Sequence, residues 1–459
     1  MLSHHTPNVS NNEEMGLFDI FKKKEQKSSP AQEDYEKAKE LFDISDFQGA
    51  LGTLSWGFRK DIDYLPLYEL SAVCLEKLGA HDESQLFKVT LKRFKSFESF
   101  NNLGLHFYEV GHYDLALPFL EKAISIDSTK NDTVHDLAIV YSRRFQIEKA
   151  IETLEVGNPK NDFWNYWFWC KLRILAGKTE GIAEGLNELN SVLDNEPNQT
   201  EVEIPRRKVN EVSEILSRYN YIKKPRQHIQ DWHFIQYGSI ILDYFEDSDD
   251  YVAGGRYVAS WGSNEAIRQI SEKLKKIIES LKLGIQQVLF LGDRESKIIG
   301  IQIGLVLGIK ATEYHPEMDS TNSLIVSGNS FDFDDHAELS ETKKGQVIFS
   351  LNHDWLRPSS ISPDISGFMS QSYYFPWNGE GFRITDVEKG ETEKTEPDNR
   401  SEEEIANTIF NEKFADSDDT NLIDYYMDKR DYLKSIGSKS NTDRYNFMIE
   451  SPVPGSYFG

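Results

Sequence analysis

Residues Phe97 to Lys130 read FESFNNLGLHFYEVGHYDLALPFLEKAISIDSTK. Two short amphipathic helices are written there, separated by a turn at Val110-Gly111-His112. Small residues Gly104, Ala116 and Ala123 fall where two helices must approach closely. Large apolar residues stand between them: Leu103, Phe107, Tyr113, Leu117, Leu120 and Ile124. Neither helix can bury its apolar stripe alone, so the stretch predicts a helical hairpin that needs neighbours on both sides.

The neighbours are present. The small residue of the first helix recurs as Ala38, Ala72, Gly104, Ala138 and Cys170, at spacings of 34, 32, 34 and 32. The small residue of the second helix recurs as Ala50, Ser84, Ala116 and Ala150. This pattern resembles the tetratricopeptide repeat (TPR), a helix–turn–helix unit of about 34 residues, with Ser128 where the family often has proline. The resemblance implies an α-helical solenoid that binds a protein or peptide and catalyses nothing. Carried over residue by residue, it places Glu69, Val73, Asn101, Leu105, Tyr108, His135, Ile139, Arg143, Trp167 and Lys171 on the concave face. The Lys/Asn pattern by which some TPRs clamp a terminal carboxylate is not evident. The run Phe163-Trp-Asn-Tyr-Trp-Phe-Trp169 reads more readily as core than as a partner hot spot, because helical aromatic stripes usually pack inward.

Composition narrows the classes. A formal net charge of −25 over 459 residues disfavours nucleic acid, which needs a basic face. The two cysteines, Cys74 and Cys170, fall inside repeat helices, so a reducing compartment is expected. No apolar run approaches the ~20 residues that span a bilayer, and the N-terminus lacks an apolar signal core. We expect a cytoplasmic protein without stable membrane insertion. Residues 1–30 read as a disordered leader. Within it Met15-Gly-Leu-Phe-Asp-Ile-Phe-Lys-Lys-Lys24 offers an alternative start and a short apolar-then-basic patch.

Residues 31–194 are assigned to the repeats and 195–227 to a linker helix. Beyond it the period turns from helical to extended. Trp232–Gln236, Ser239–Phe245 and Arg256–Trp261 are expected as strands, and Asn264 to Leu283 as an amphipathic helix. Gln287–Gly292, Ile309–Tyr314, Ser323–Ser327 and Gln346–Leu351 are further strands. Alternating strands and helices predict an α/β domain over 228–387 with a partly parallel sheet. An acidic helical tail, 388–459, follows an exposed charged stretch at 388–401.

Within this domain Val288 to Ile309 runs strand, polar loop, helix with Gly300 and Gly304, then strand. That order resembles the pyrophosphate-loop region of type I phosphoribosyltransferases. The family's adjacent acidic pair comes too late here and its threonine is missing, which implies a degenerate, non-catalytic relative. Three strand ends are polar and form a candidate anion or ligand pocket: Gly292, Asp293, Arg294, Glu295 and Ser296; Ser327, Gly328 and Asn329; Asn352, His353 and Asp354. His353 is a candidate proton carrier oriented by Asp354. No metal-binding, dinucleotide, phosphate-loop or nucleophile-elbow motif occurs. His81, His106, His112 and His135 lack metal-ligand spacing, and no cofactor is expected. The repeat rests on more positions than the pocket. An adaptor or scaffold, with the α/β domain as an interaction or regulatory module, therefore ranks above an enzyme or sensor of a small phosphorylated ligand.

Overall fold

The computed structural model describes residues 29–198, 201–246, 248, 253–357, 359–379, 381–386, 389, 391–415, 417–434, 444 and 451–453. Residues 1–28 of the expected leader, with its Met15–Lys24 motif, and the chain from 454 lie outside the described residues. The chain divides into two compact units, one made of residues up to 107 with 114–123, the other of 108–113 and everything from 124.

The first unit contains α1 (Gln32–Asp43), α2 (Phe47–Lys60), α3 (Leu65–Leu78), α4 (His81–Lys92) and most of α5 (Phe97–Glu109) and α6 (Tyr113–Ile126). Helices α1 and α2, and α3 and α4, pack as hairpins. Asp46 caps α2 by accepting from the Gly49 amide at 2.9 Å. The Ser84 hydroxyl donates to the Ala72 carbonyl at 2.8 Å, tying α4 to α3. The core gathers Ala38, Leu54, Phe58, Tyr68, Phe87, Phe100 and Phe119. Gly104 shows why a small residue is required: a Cβ there would lie 2.7 Å from the Leu120 side chain and 3.2 Å from its backbone nitrogen.

In the second unit the same pattern continues through α7 (Asn131–Arg143), α8 (Ile147–Val156), α9 (Phe163–Leu175) and α10 (Ile182–Asp194). All nine small residues of the sequence register are buried. The backbone carries a second register. Ser45, Gly79, Gly111, Phe145 and Gly177 all adopt positive φ at the turns between paired helices, with the spacing of the small residues. Both cysteines are free and buried. Burial pushes the Cys74 thiol up to about 11 and the Cys170 thiol up to about 12.

Helix α11 (Glu203–Ile222) occupies the expected linker, but it packs on α9 and α10 as part of the second unit. Trp232–Gln236, expected as a strand, lies inside helix α12 (Ile229–Tyr237), all nine residues of which are buried. A helix buried all round has no polar face, so its 3.6-residue period is invisible in the sequence.

The α/β layer is a seven-stranded sheet built from β1 (Ile240–Ile241), β2 (Tyr257–Trp261), β3 (Gln287–Phe290), β4 (Ala311–Glu313), β5 (Ser323–Asn329), β6 (Val347–His353) and β7 (Ile365–Tyr374). Every pairing in it is parallel, where a partly parallel sheet was expected. The order is β4-β3-β5-β6-β7, with β1 and β2 pairing with successive parts of β7. The amphipathic α13 (Asn264–Leu281) and α14 (Arg294–Leu307) connect its strands. At Gly300 of α14 a Cβ would come within 2.5 Å of the Phe290 Cβ on β3. The other face carries Leu289, Ile325 and Ile348 against Phe333 and Leu339 of two short 3-10 turns.

The expected tail joins this layer. The antiparallel pair β8 (Phe382–Asp386) and β9 (Glu391–Lys394) puts its second strand in the stretch expected as an exposed loop. Helix α15 (Glu402–Phe410) packs on α13 and α14, and α16 (Thr420–Asp428) packs on α13. The buried Tyr426 hydroxyl receives the Ile241 amide at 3.0 Å.

Candidate functional site

The first-helix residues named from the repeat fall into three environments. In the first unit Glu69 and Val73 on α3 are exposed, and Asn101 and Leu105 on α5 are half-buried. In the second unit Tyr108, His135 and Ile139 are half-buried. The His135 Nδ1 lies 3.0 Å from Asn165 Oδ1, and its ring stands 5.2 Å from Phe168, so it is held as a packing residue. Asp136 is half-buried beside Tyr108. Burial, with Asp132 and Glu109, raises its carboxyl to about 6.

Arg143, Trp167 and Lys171 are buried. The Trp167 indole donates to the Lys208 carbonyl at 3.0 Å. The Lys171 ammonium is fully buried and bonds Glu211 at 3.1 Å. Helix α11 thus covers the α9 positions expected to meet a partner. The repeat register finds which face of α9 is first covered, but it cannot say that the chain itself supplies the cover.

The strand-end residues do converge. The chain leaves β3 toward β4 through α14 and returns to the other side of β3 as β5, so the carboxyl ends of β3 and β5 meet at a topological switch point. The Gly328 amide donates to Ser296 Oγ at 2.9 Å, Asn352 Nδ2 reaches Asn329 Oδ1 at 3.4 Å, and the Asp354 amide donates to Ser330 Oγ at 3.2 Å.

Several polar groups of the assembled site have partners within the protein. The Asp293 carboxylate caps α14, accepting from the Ser296 amide at 2.8 Å, and so takes the place a phosphate would hold. Arg294 turns away: its Nη2 donates to the Asp398 carbonyl at 2.6 Å and its Nε lies 3.8 Å from Glu402. Glu295 packs against Gly328 and accepts from Asn378 at 3.1 Å. Asp332, in a capping box with Asn329, is pushed up to about 7 by burial and by the charges of Asp293 and Glu295. Asp293, Glu295 and the partly protonated Asp332 make the surroundings of this helix N-terminus acidic. The spacing Asn329-x-x-Asp332 was the sequence signal for this closure.

His353 and Asp354 do not form a dyad. Successive strand residues point to opposite faces. Asn352 bonds Ser370 Oγ at 2.6 Å, whereas the buried His353 ring stands 5.5 Å from His233 of α12. Asp354 instead caps its own turn, accepting from the amides of Leu356 and Arg357 at 2.9 and 3.0 Å. Among the described residues no group of three or more His, Cys, Asp or Glu is placed to hold a metal. No described helix is long and apolar enough to cross a membrane.

These observations define a helical-repeat protein that carries a parallel α/β layer. No family model and no curated protein matches the chain. Among solved structures the chain is similar to YrrB, described as a TPR protein with an unusual peptide-binding site. The identity is 14%, over 37% of this chain and 90% of that one, with a TM-score of 0.23. It is also similar to MamA from Desulfovibrio magneticus RS-1, at 17% identity over 37% of this chain and 97% of that one, with a TM-score of 0.24. The repeat reading stands on the burial and turn registers described above, and neither neighbour bears on the phosphoribosyltransferase resemblance.

Proposed function

We propose that this protein is a non-enzymatic adaptor that takes a protein or peptide partner on first-helix residues of its first unit, with the α/β layer as an accessory interaction or regulatory module. One contrast supports the reading. Val73 remains 42% exposed, with Leu105 half-buried, whereas at the strand ends Asp293 already accepts from the Ser296 amide. Exposed apolar side chains in a register that elsewhere packs inward suit an extended peptide whose side chains anchor between helices.

The test is selection of peptides from a displayed random library on the wild-type chain, followed by calorimetry of the best binders. A Val73→Asp/Leu105→Asp double variant should weaken binding at least ~30-fold, about 2 kcal/mol. Phosphoribosyl pyrophosphate, nucleotides and pyrophosphate should give no heat with wild type. Magnesium-dependent turnover of any of them, lost in Arg294→Ala, would replace the adaptor by the enzyme.

A further inference from the structure

Asp364 stands at the start of β7, at the end of the sheet opposite the strand-end loops. Its backbone and carboxylate both engage β6: the Asp364 amide donates to the Ile348 carbonyl at 3.0 Å, and its Oδ2 accepts from the Ile348 amide at 2.8 Å. Around that carboxylate the chain from 339 to 346 supplies further acceptors: the carbonyls of Leu339, Glu341 and Gln346, and the Gln346 Oε1.

Arg444 fills this ring, and its side chain is fully buried. Its Nε lies 3.1 and 2.9 Å from the two Asp364 oxygens. Its Nη1 reaches Leu339 O at 2.9 Å, and Glu341 O and Gln346 Oε1 at 3.0 Å. Its Nη2 donates to Gln346 O at 3.0 Å. The backbone is gripped as well: the Arg444 amide donates to Ser340 O at 2.7 Å, and its carbonyl accepts from the Ser362 amide at 2.8 Å. Farther on, Val453 O accepts from the buried Arg256 Nη1 at 2.9 Å.

All the side-chain acceptors lie within residues 339–364, while the donor comes from 80 or more residues away. The ring is therefore assembled by the sheet's own neighbourhood, and its several acceptors, spread over Nε, Nη1 and Nη2, match a forked, permanently charged donor. A lysine ammonium, a point charge with three donors, cannot span them. If the arginine is removed, the Asp364 carboxylate loses its charged partner at 2.9 Å and several carbonyls lose a donor in a buried site. We propose that Asp364, Gln346 and the carbonyls of Leu339 and Glu341 form a guanidinium-binding pocket, which the protein's own Arg444 occupies.

The test is chemical complementation in the full chain. Arg444→Ala should lower the melting temperature of the α/β layer by about 5–10 °C. Methylguanidinium at millimolar concentration should restore at least half of that fall, and methylammonium at equal concentration should not. The same ligand should leave wild type unchanged, and an Arg444→Ala/Asp364→Asn variant should gain nothing. An Arg444→Ala protein that melts like wild type, or that responds equally to both cations, would overturn the proposal. If Arg444→Ala is insoluble, Gln346→Ala replaces it. This variant removes one acceptor and should melt a few degrees lower with Arg444 present; no change in its melting would likewise overturn the pocket.

Discussion

Replacing Glu211 by Gln should be far more damaging than replacing Lys171 by Met, although the two side chains are partners at 3.1 Å. The asymmetry follows from the charge count. One carboxylate faces three cations, Lys171, Lys208 and Lys434, and Lys208 also bonds it at 3.2 Å. Lys171→Met leaves Glu211 still paired and adds apolar volume beneath Trp167. Its cost should lie within about 1 kcal/mol of zero, since apolar replacements of buried charges are often neutral. Glu211→Gln takes the nearest counter-charge from Lys171 and Lys208, and breaking a buried pair this way costs about 3–5 kcal/mol. The charge count also sets the pH response. Burial works to raise the Glu211 carboxyl, but the three lysines overcome it and hold it at about 2, below its ordinary 4.5. A carboxyl lowered on folding contributes stability that is present above the ordinary value and lost as pH falls from 4.5 toward 2. Burial also brings the Lys171 ammonium down to about 7, against the pull of Glu211, which is why its removal is the milder change. Hydrogen exchange of α9 and α11 peptides, followed against urea, reads the local free energy. Equal losses in the two variants, or an acid limb that survives in Glu211→Gln, would refute the claim that α11 is held over α9 by this carboxylate.

Two further outcomes follow from the packing. Gly104→Leu should destabilise the first unit by about 3 kcal/mol through overpacking against Leu120, as read by urea unfolding of helical circular dichroism; an unchanged midpoint would remove the small-residue register. His353 and His233 are both buried, and burial lowers His353 to about 4 from its ordinary 6.5 and His233 well below that value. Because the unfolded chain takes up these protons first, stability should fall as pH drops from 6.5 toward 4. His353→Phe should flatten that slope in pH-dependent melting, and a wild-type slope in the variant would count against the buried neutral pair.

The helical half of this protein was legible because its constraint is local and repeated. A close helix crossing admits only a small residue, so Ala38, Ala72, Gly104, Ala138 and Cys170 declare their spacing in one dimension, and the left-handed turn residues follow it. The β3–α14 unit was legible for a similar reason, since Gly300 and Gly304 mark where a helix must touch a sheet. The sequence also brought the three strand ends into one neighbourhood, because parallel strands collect their carboxyl ends on one side. What it could not decide was which groups point where, and what covers them. Helix α12 hid its period by being buried on every side. Strand β7, interrupted by Ser366, Gly367 and Ser370, gave no continuous apolar run, yet it pairs with β1, β2 and β6. Asp293 and Asp332 turned an expected anion site into an acidic one by folding onto their own backbone. Trp167 and Lys171 were expected to face a partner, and only the tertiary structure shows α11 bonded to them. Close packing leaves a one-dimensional trace, because it restricts which residue types fit at fixed intervals. Cover and charge pairing depend on segments that meet from 40 to more than 100 residues apart, and no local pattern records them.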